Sequence, residues 1–143
     1  MPINFFYIDV DIKLKRKVII KNWISNIIKN YNYKIGNLNI IFVNDSYLLK
    51  LNLKYLNKNT LTDIITFDYN NNDYIEGDLY ISIERVKDNS EIYSTDFSNE
   101  ILRVIIHGIF HLLGFNDQTQ DQIEIMRFKE NEALTQVAGL SII

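Results

Sequence analysis

Cysteine is absent from the 143 residues, which rules out both a disulfide framework and a thiolate metal site. The lack fits a reducing compartment, and the expected location is cytoplasmic. No apolar run reaches membrane-spanning length, and the N-terminus lacks a basic region followed by an apolar one, so no membrane contact is expected. Excess positive charge is also missing. The formal net charge of −3 excludes a generally basic nucleic-acid binder, and an RNA substrate would need a local patch or a positioning partner. There is one proline and only five glycines, with no internal repeat and no low-complexity linker. A single domain over 1–143 is the reading, large enough for a real core.

What is present is apolar patterning of two periods. Ile3 to Val10 reads as a strand, and Leu14 to Asn30 as a helix with Leu14, Val18, Ile20, Trp23, Ile24, Ile27 and Ile28 on its apolar positions. Gly36-Asn37 signals a turn before the β-branched run Leu38–Val43. Asn44 can cap a short helix ending near Leu56. Thr60–Tyr69 and Asp78–Ile83 read as strands of an antiparallel hairpin across the polar turn Asn70–Asp73. Three helices follow: Glu84–Ile92, a second capped by Asp96, and Thr119–Gln136, the last with Ile123, Met126, Phe128 and Leu134 for burial. The second is apolar nearly all round, which marks a central, buried helix. One sheet with helices packed on it is the natural sum, an α+β fold.

The chain's only two histidines, His107 and His111, lie on the remaining stripe of that central helix with Glu100 and Arg103 or Val104. Residues four apart share one helix face, roughly 5–6 Å apart at Cβ, so two imidazoles can converge on one ion. Burying both rings without partners would cost about 1–3 kcal/mol each, which weighs against two ordinary core histidines. Gly114 suits a helix stop, and the chain can then turn back so that Asp117 supplies a third ligand. Three protein ligands and one open position describe a catalytic zinc site, with water activated near neutral pH. The zinc-protease helix motif places a glutamate after the first histidine as general base; here that residue is Gly108, which cannot take a proton.

His107-Gly108-x-x-His111-Leu112-x-Gly114-Phe115 resembles the metal motif of the YbeY family of endoribonucleases, the rRNA maturation factors. The strand Thr62-Asp63-Ile64-Ile65-Thr66-Phe67 is similar to that family's Thr-Asp-Val-Leu-Ser-Phe strand, and Gly77-Asp78-Leu79 to its Gly-Asp-Ile strand. Glu100 stands where the family usually has Glu. The resemblance covers about Asn52 to Glu132. It implies a four-stranded sheet around the metal helix and a Zn²⁺-dependent, single-strand-preferring endoribonuclease. The implied role is 3′-end maturation of 16S rRNA and ribosome quality control. The implied partners are the small ribosomal subunit, one of its proteins and an assembly GTPase.

Two positions depart from the family. Asp117 falls where a third histidine is commonest, and a carboxylate ligand makes the ion a weaker Lewis acid and harder metals more plausible. Leu56 stands where many members carry a phosphate-binding arginine. Lys58 or Arg103 is the expected substitute, with Lys58 more readily read as a solvated surface lysine. Asp63 is either a cleft residue that orients water or a ligand, or a cap at the start of its strand. Glu100 is either a support for the histidines or a first-turn carboxylate favoured by the helix dipole. With no obvious base in the motif, the activated water itself or Asp63 must serve. Two rival functions remain in view: a non-catalytic, metal-stabilised ribosome-assembly factor, and a zinc peptidase or amidase, against which Gly108 argues.

Overall fold

A computed structural model describes residues 2–143; Met1 lies outside the described residues. The elements in chain order are β1 (Ile3–Tyr7), α1 (Lys17–Asn30), β2 (Lys34–Val43), α2 (Asp45–Leu56), β3 (Ile64–Asp68), β4 (Tyr74–Ser82), α3 (Ile83–Ile92), α4 (Phe97–Leu112) and α5 (Gln120–Thr135). The sheet order is β1-β2-β4-β3. β1 and β4 both run parallel to β2, whereas β3 returns antiparallel to β4, so the sheet is mixed. This is the expected α+β architecture with four strands.

Alternation along the strands splits the sheet into two unequal faces. Leu38, Ile40 and Phe42 of β2 and Ile75, Leu79 and Ile81 of β4 point into the larger core, which α1, α3, α4 and α5 cover. Ile41 and Val43 point the other way, where α2 adds Leu48 and β3 adds Ile65 to a smaller cluster. Helix α4 lies in the middle of the larger core: Ile101, Leu102, Ile105, Ile106 and Ile109 are all fully or almost fully buried.

Local expectations fare unevenly. Asn44, Asp96 and Thr119 cap their helices through side-chain oxygens, Thr119 in a reciprocal box with Gln122. The β3–β4 hairpin forms in the expected sense. Gly36-Asn37, however, makes no turn: β2 continues through it, with one extra residue against β4 between Ile35 and Leu38. A bulge accommodates what the composition suggested was a chain reversal. Helix α1 starts at Lys17, with Leu14 buried in the lead-in and Val18 exposed. Ile20, Trp23, Ile24, Ile27 and Ile28 form the buried stripe, and Val18 sits two residues, hence about 200° of rotation, away from it. In α5, Met126 and Leu134 are buried, but Ile123 and Phe128 face solvent.

Candidate metal centre

Where α4 stops is fixed by several independent contacts. The amides of Gly114 and Phe115 return to the carbonyls of His111 and Phe110, and Gly114 takes a φ of 100° that a side chain would resist. Asn70, from the β3–β4 turn, donates its side-chain amide to the Leu112 carbonyl at 2.7 Å. Phe115 then packs edge-on against Phe110 and Tyr31. The backward turn leaves Asp117 facing the two histidines.

The three donors meet closely. His107 Nε2 and His111 Nε2 are 3.0 Å apart, and Asp117 Oδ2 lies 3.3 Å from each. One donor atom from each of the three residues falls within 4.8 Å of the others. Ligands held tetrahedrally at zinc–nitrogen and zinc–oxygen distances stand about 3.3 Å from one another, so the triangle has the dimensions of a ligand set. Two imidazoles and a carboxylate are also the right donor chemistry for a divalent ion. The residues present therefore fit the metal that the sequence motif implies.

One residue in contact with this arrangement does not stand out in the sequence. Glu130, on α5, is 4% exposed, and its Oε2 accepts from His107 Nδ1 at 2.6 Å. Its other oxygen accepts from Arg103 Nη1 at 2.9 Å. Burial opposes ionisation of Glu130, yet the hydrogen bonds from His107 and Arg103 outweigh it and lower its pKa. An ionised carboxylate only accepts, so the neutral His107 ring carries its hydrogen on Nδ1 and directs the Nε2 lone pair toward Asp117 and His111. Burial disfavours charge on His107, but Glu130, Asp117 and Asp63 together raise its pKa. The signal for Glu130 lay in helical spacing: it shares a buried stripe with Met126, Ala133 and Leu134, and an acid inside such a stripe calls for a partner.

Two of the three donors, His107 and Asp117, line a cleft of about 620 Å³ bounded by β3, α3, α4 and α5. Asp63 lines it, just before the first residue of β3. Burial raises the Asp63 pKa, with the nearby His107 acting in the opposite sense. Glu100 and Arg103 line the same cleft. Arg103 is engaged there, its Nη2 held by Asn131 at 2.8 Å in addition to the Glu130 contact. Lys58 is not brought into this group: it is exposed on the segment between α2 and β3 and does not line the cleft. Asp78 accepts from Asn39 across the sheet, a structural role.

Gly108 faces the sheet. A Cβ there would overlap Leu79 and stand 2.8 Å from Ile64 Cδ1. The position that carries the base in zinc proteases is here a packing contact against the sheet.

Fold and donors together define a small α+β protein built around a metal-competent histidine helix. Sequence comparison resolves which one. Residues 7–138 match the family described as Endoribonuclease YbeY, and the chain belongs to that family. It is 50% identical over 130 residues to the Endoribonuclease YbeY of Amoebophilus asiaticus, covering 90% of this chain and 88% of that one. The Endoribonuclease YbeY of Flavobacterium psychrophilum is 43% identical, with 92% and 94% covered. The solution structure of TM1509 from Thermotoga maritima superposes with a TM-score of 0.65 at 24% identity over 94% of this chain and 90% of that one, a likeness of fold. No helix among the described residues is long and apolar enough to cross a membrane.

Proposed function

We propose that the protein is a metal-dependent endoribonuclease with a preference for single-stranded RNA, and that His107, His111 and Asp117 hold one divalent ion, Zn²⁺ first among candidates. The observation that carries this reading is the donor triangle, two of whose members line a cleft, in a chain whose relatives are named endoribonucleases. A divalent ion held there supplies Lewis acidity for activating water and offsetting charge on phosphoryl oxygens. Glu130 fixes the His107 ring, so one ligand is oriented before any ion arrives. Asp63, with its raised pKa, is suited to take a proton from the attacking water. Gly108 leaves peptide hydrolysis without its base.

In the cell, the reading assigns the protein to 3′-end maturation of 16S rRNA and to ribosome quality control in the cytoplasm. It would work on the small subunit with a ribosomal protein and an assembly GTPase. A partner of that kind supplies the RNA affinity that a chain of net charge −3 lacks.

Elemental analysis of the purified protein tests the centre directly. Wild type should carry one equivalent of a divalent metal and Asp117→Ala should lose it; metal retained by Asp117→Ala removes that residue from the ligand set. Incubation with RNA and with casein then tests the reaction. Cleavage of single-stranded RNA with casein intact is expected, and the reverse pattern would sink the proposal. Restoration of rRNA 3′ ends by a His111→Ala protein in cells lacking the wild type would point instead to an assembly factor without catalysis.

A further inference from the structure

The cleft holds two arginines that differ in what they have left to offer a ligand. Arg103 has both terminal nitrogens occupied, by Glu130 and Asn131, and its Nε lies 3.9 Å from Glu100. Arg127, on α5 one turn before Glu130, makes a single ionic contact among the described residues, at 3.6 Å to Glu130, and its side chain is 62% exposed. The cleft wall formed by α3 ends in Tyr93, which is 69% exposed and has no aromatic or cationic partner among the described residues. A cation with free donors and an unstacked aromatic ring thus line the same cleft as His107 and Asp117 of the donor triangle.

We propose that Arg127 and Tyr93 grip one RNA strand in this cleft, the guanidinium on a phosphate and the tyrosine ring beneath a base. This rests on the RNA-hydrolase reading above and assigns the phosphate contact to a residue outside the family's usual arginine position, where this chain has Leu56. A guanidinium stays charged and presents paired donors that match phosphate oxygens. Stacking on Tyr93 needs a base free of its own helix, so the ring selects for single strands without selecting a sequence. Four carboxylates, Asp63, Glu100, Asp117 and Glu130, face only two guanidiniums in the cleft. A phosphodiester therefore enters well only once a divalent cation balances them, and RNA binding should strengthen on metal loading.

The test is fluorescence anisotropy of a short labelled oligouridylate on zinc-loaded full-length protein across a salt series, with the probe verified intact, alongside KM and kcat for its cleavage. Arg127→Ala should bind about tenfold more weakly, with the slope of log affinity against log salt reduced by about 0.7. Arg127→Lys should keep the slope and recover part of the affinity. Tyr93→Ala should also lose about tenfold with its slope unchanged, while Tyr93→Phe matches wild type. KM should rise in both alanine variants and kcat hold. Both side chains are exposed, so thermal melts should coincide with wild type. An Arg127→Ala protein with wild-type affinity and slope overturns the grip, as does a Tyr93→Phe protein as weak as Tyr93→Ala. If wild type cleaves and the variants are unmoved, the grip alone fails; if wild type neither binds nor cleaves the RNA, the hydrolase reading fails with it.

Discussion

Helix α4 has two sides that obey different rules. The side toward the sheet is held by shape: Ile105 and Ile109 are fully buried, and Gly108 lets the helix backbone settle onto Leu79 and Ile64. The side toward the cleft is held by charge: Glu100, Arg103, His107 and His111 run along it, tied to α5 through Glu130 and Asn131. The first side sets where the helix lies. The second sets where the imidazoles point. The contrast teaches that the site's geometry depends on a tight apolar contact that takes no part in its chemistry.

Breaking the apolar side should have the largest effect. Gly108→Glu would restore the protease motif on paper, yet the carboxylate would be forced into the space filled by Leu79 and Ile64. A buried unpaired charge costs several kcal/mol, comparable to the whole stability of a domain of this size. The expected outcome is a protein that fails to fold at neutral pH, seen as loss of the cooperative thermal transition, with no peptidase activity gained. A variant that melts like wild type would show that α4 does not rest on the sheet as tightly as described.

Breaking the charged side at its centre should cost less in stability and act on the metal centre of a protein that still folds. Glu130→Ala leaves Arg103 and the His107 ring without their acceptor, worth about 1.5–3 kcal/mol for a hydrogen bond to a charged group. Glu130→Gln keeps an acceptor for one of the two and should fall between. Zinc affinity, read by competition with a chromophoric chelator, should drop about 10–100-fold in Glu130→Ala because the ring loses its orientation. If zinc affinity is unchanged while stability falls, Glu130 is a packing residue and no more.

The same contrast explains what could be read from the sequence. His107, His111, Gly114 and Asp117 lie within eleven residues, so helical spacing and one turn residue suffice to bring them together. Asp63 was reachable as a candidate because its strand carries a recognisable motif. Glu130 and Arg127 belong to a helix whose apolar pattern misleads: Phe128 reads as core but is 64% exposed, while Glu130 is buried. Which face of a helix is buried depends on how it packs on its neighbour, and α5 turns its acid inward to meet Arg103 and His107. The Gly36-Asn37 bulge escaped for a similar reason, since pairing with β4 overrode a local turn preference.

Glu100 offers the finest probe of the charged side. It is buried near the first turn of α4, and burial raises its pKa, with Arg103 and Arg127 only partly offsetting it. The folded chain therefore keeps this proton to a higher pH than the unfolded chain does. Between the two pKa values the native state binds more protons, so this group's contribution to stability falls as pH rises through that window and stays lower above it. Glu100→Gln removes the titration while preserving shape. It should melt at a slightly higher temperature than wild type near neutrality, and the gap should close as the pH drops below the ordinary carboxylate range. A constant gap across that range would mean the glutamine acts through packing or hydrogen bonding. A lower melt at neutrality would mean the ionised Glu100 supports Arg103, and that the ladder along α4 is held by attraction at its N-terminal end as well as at Glu130.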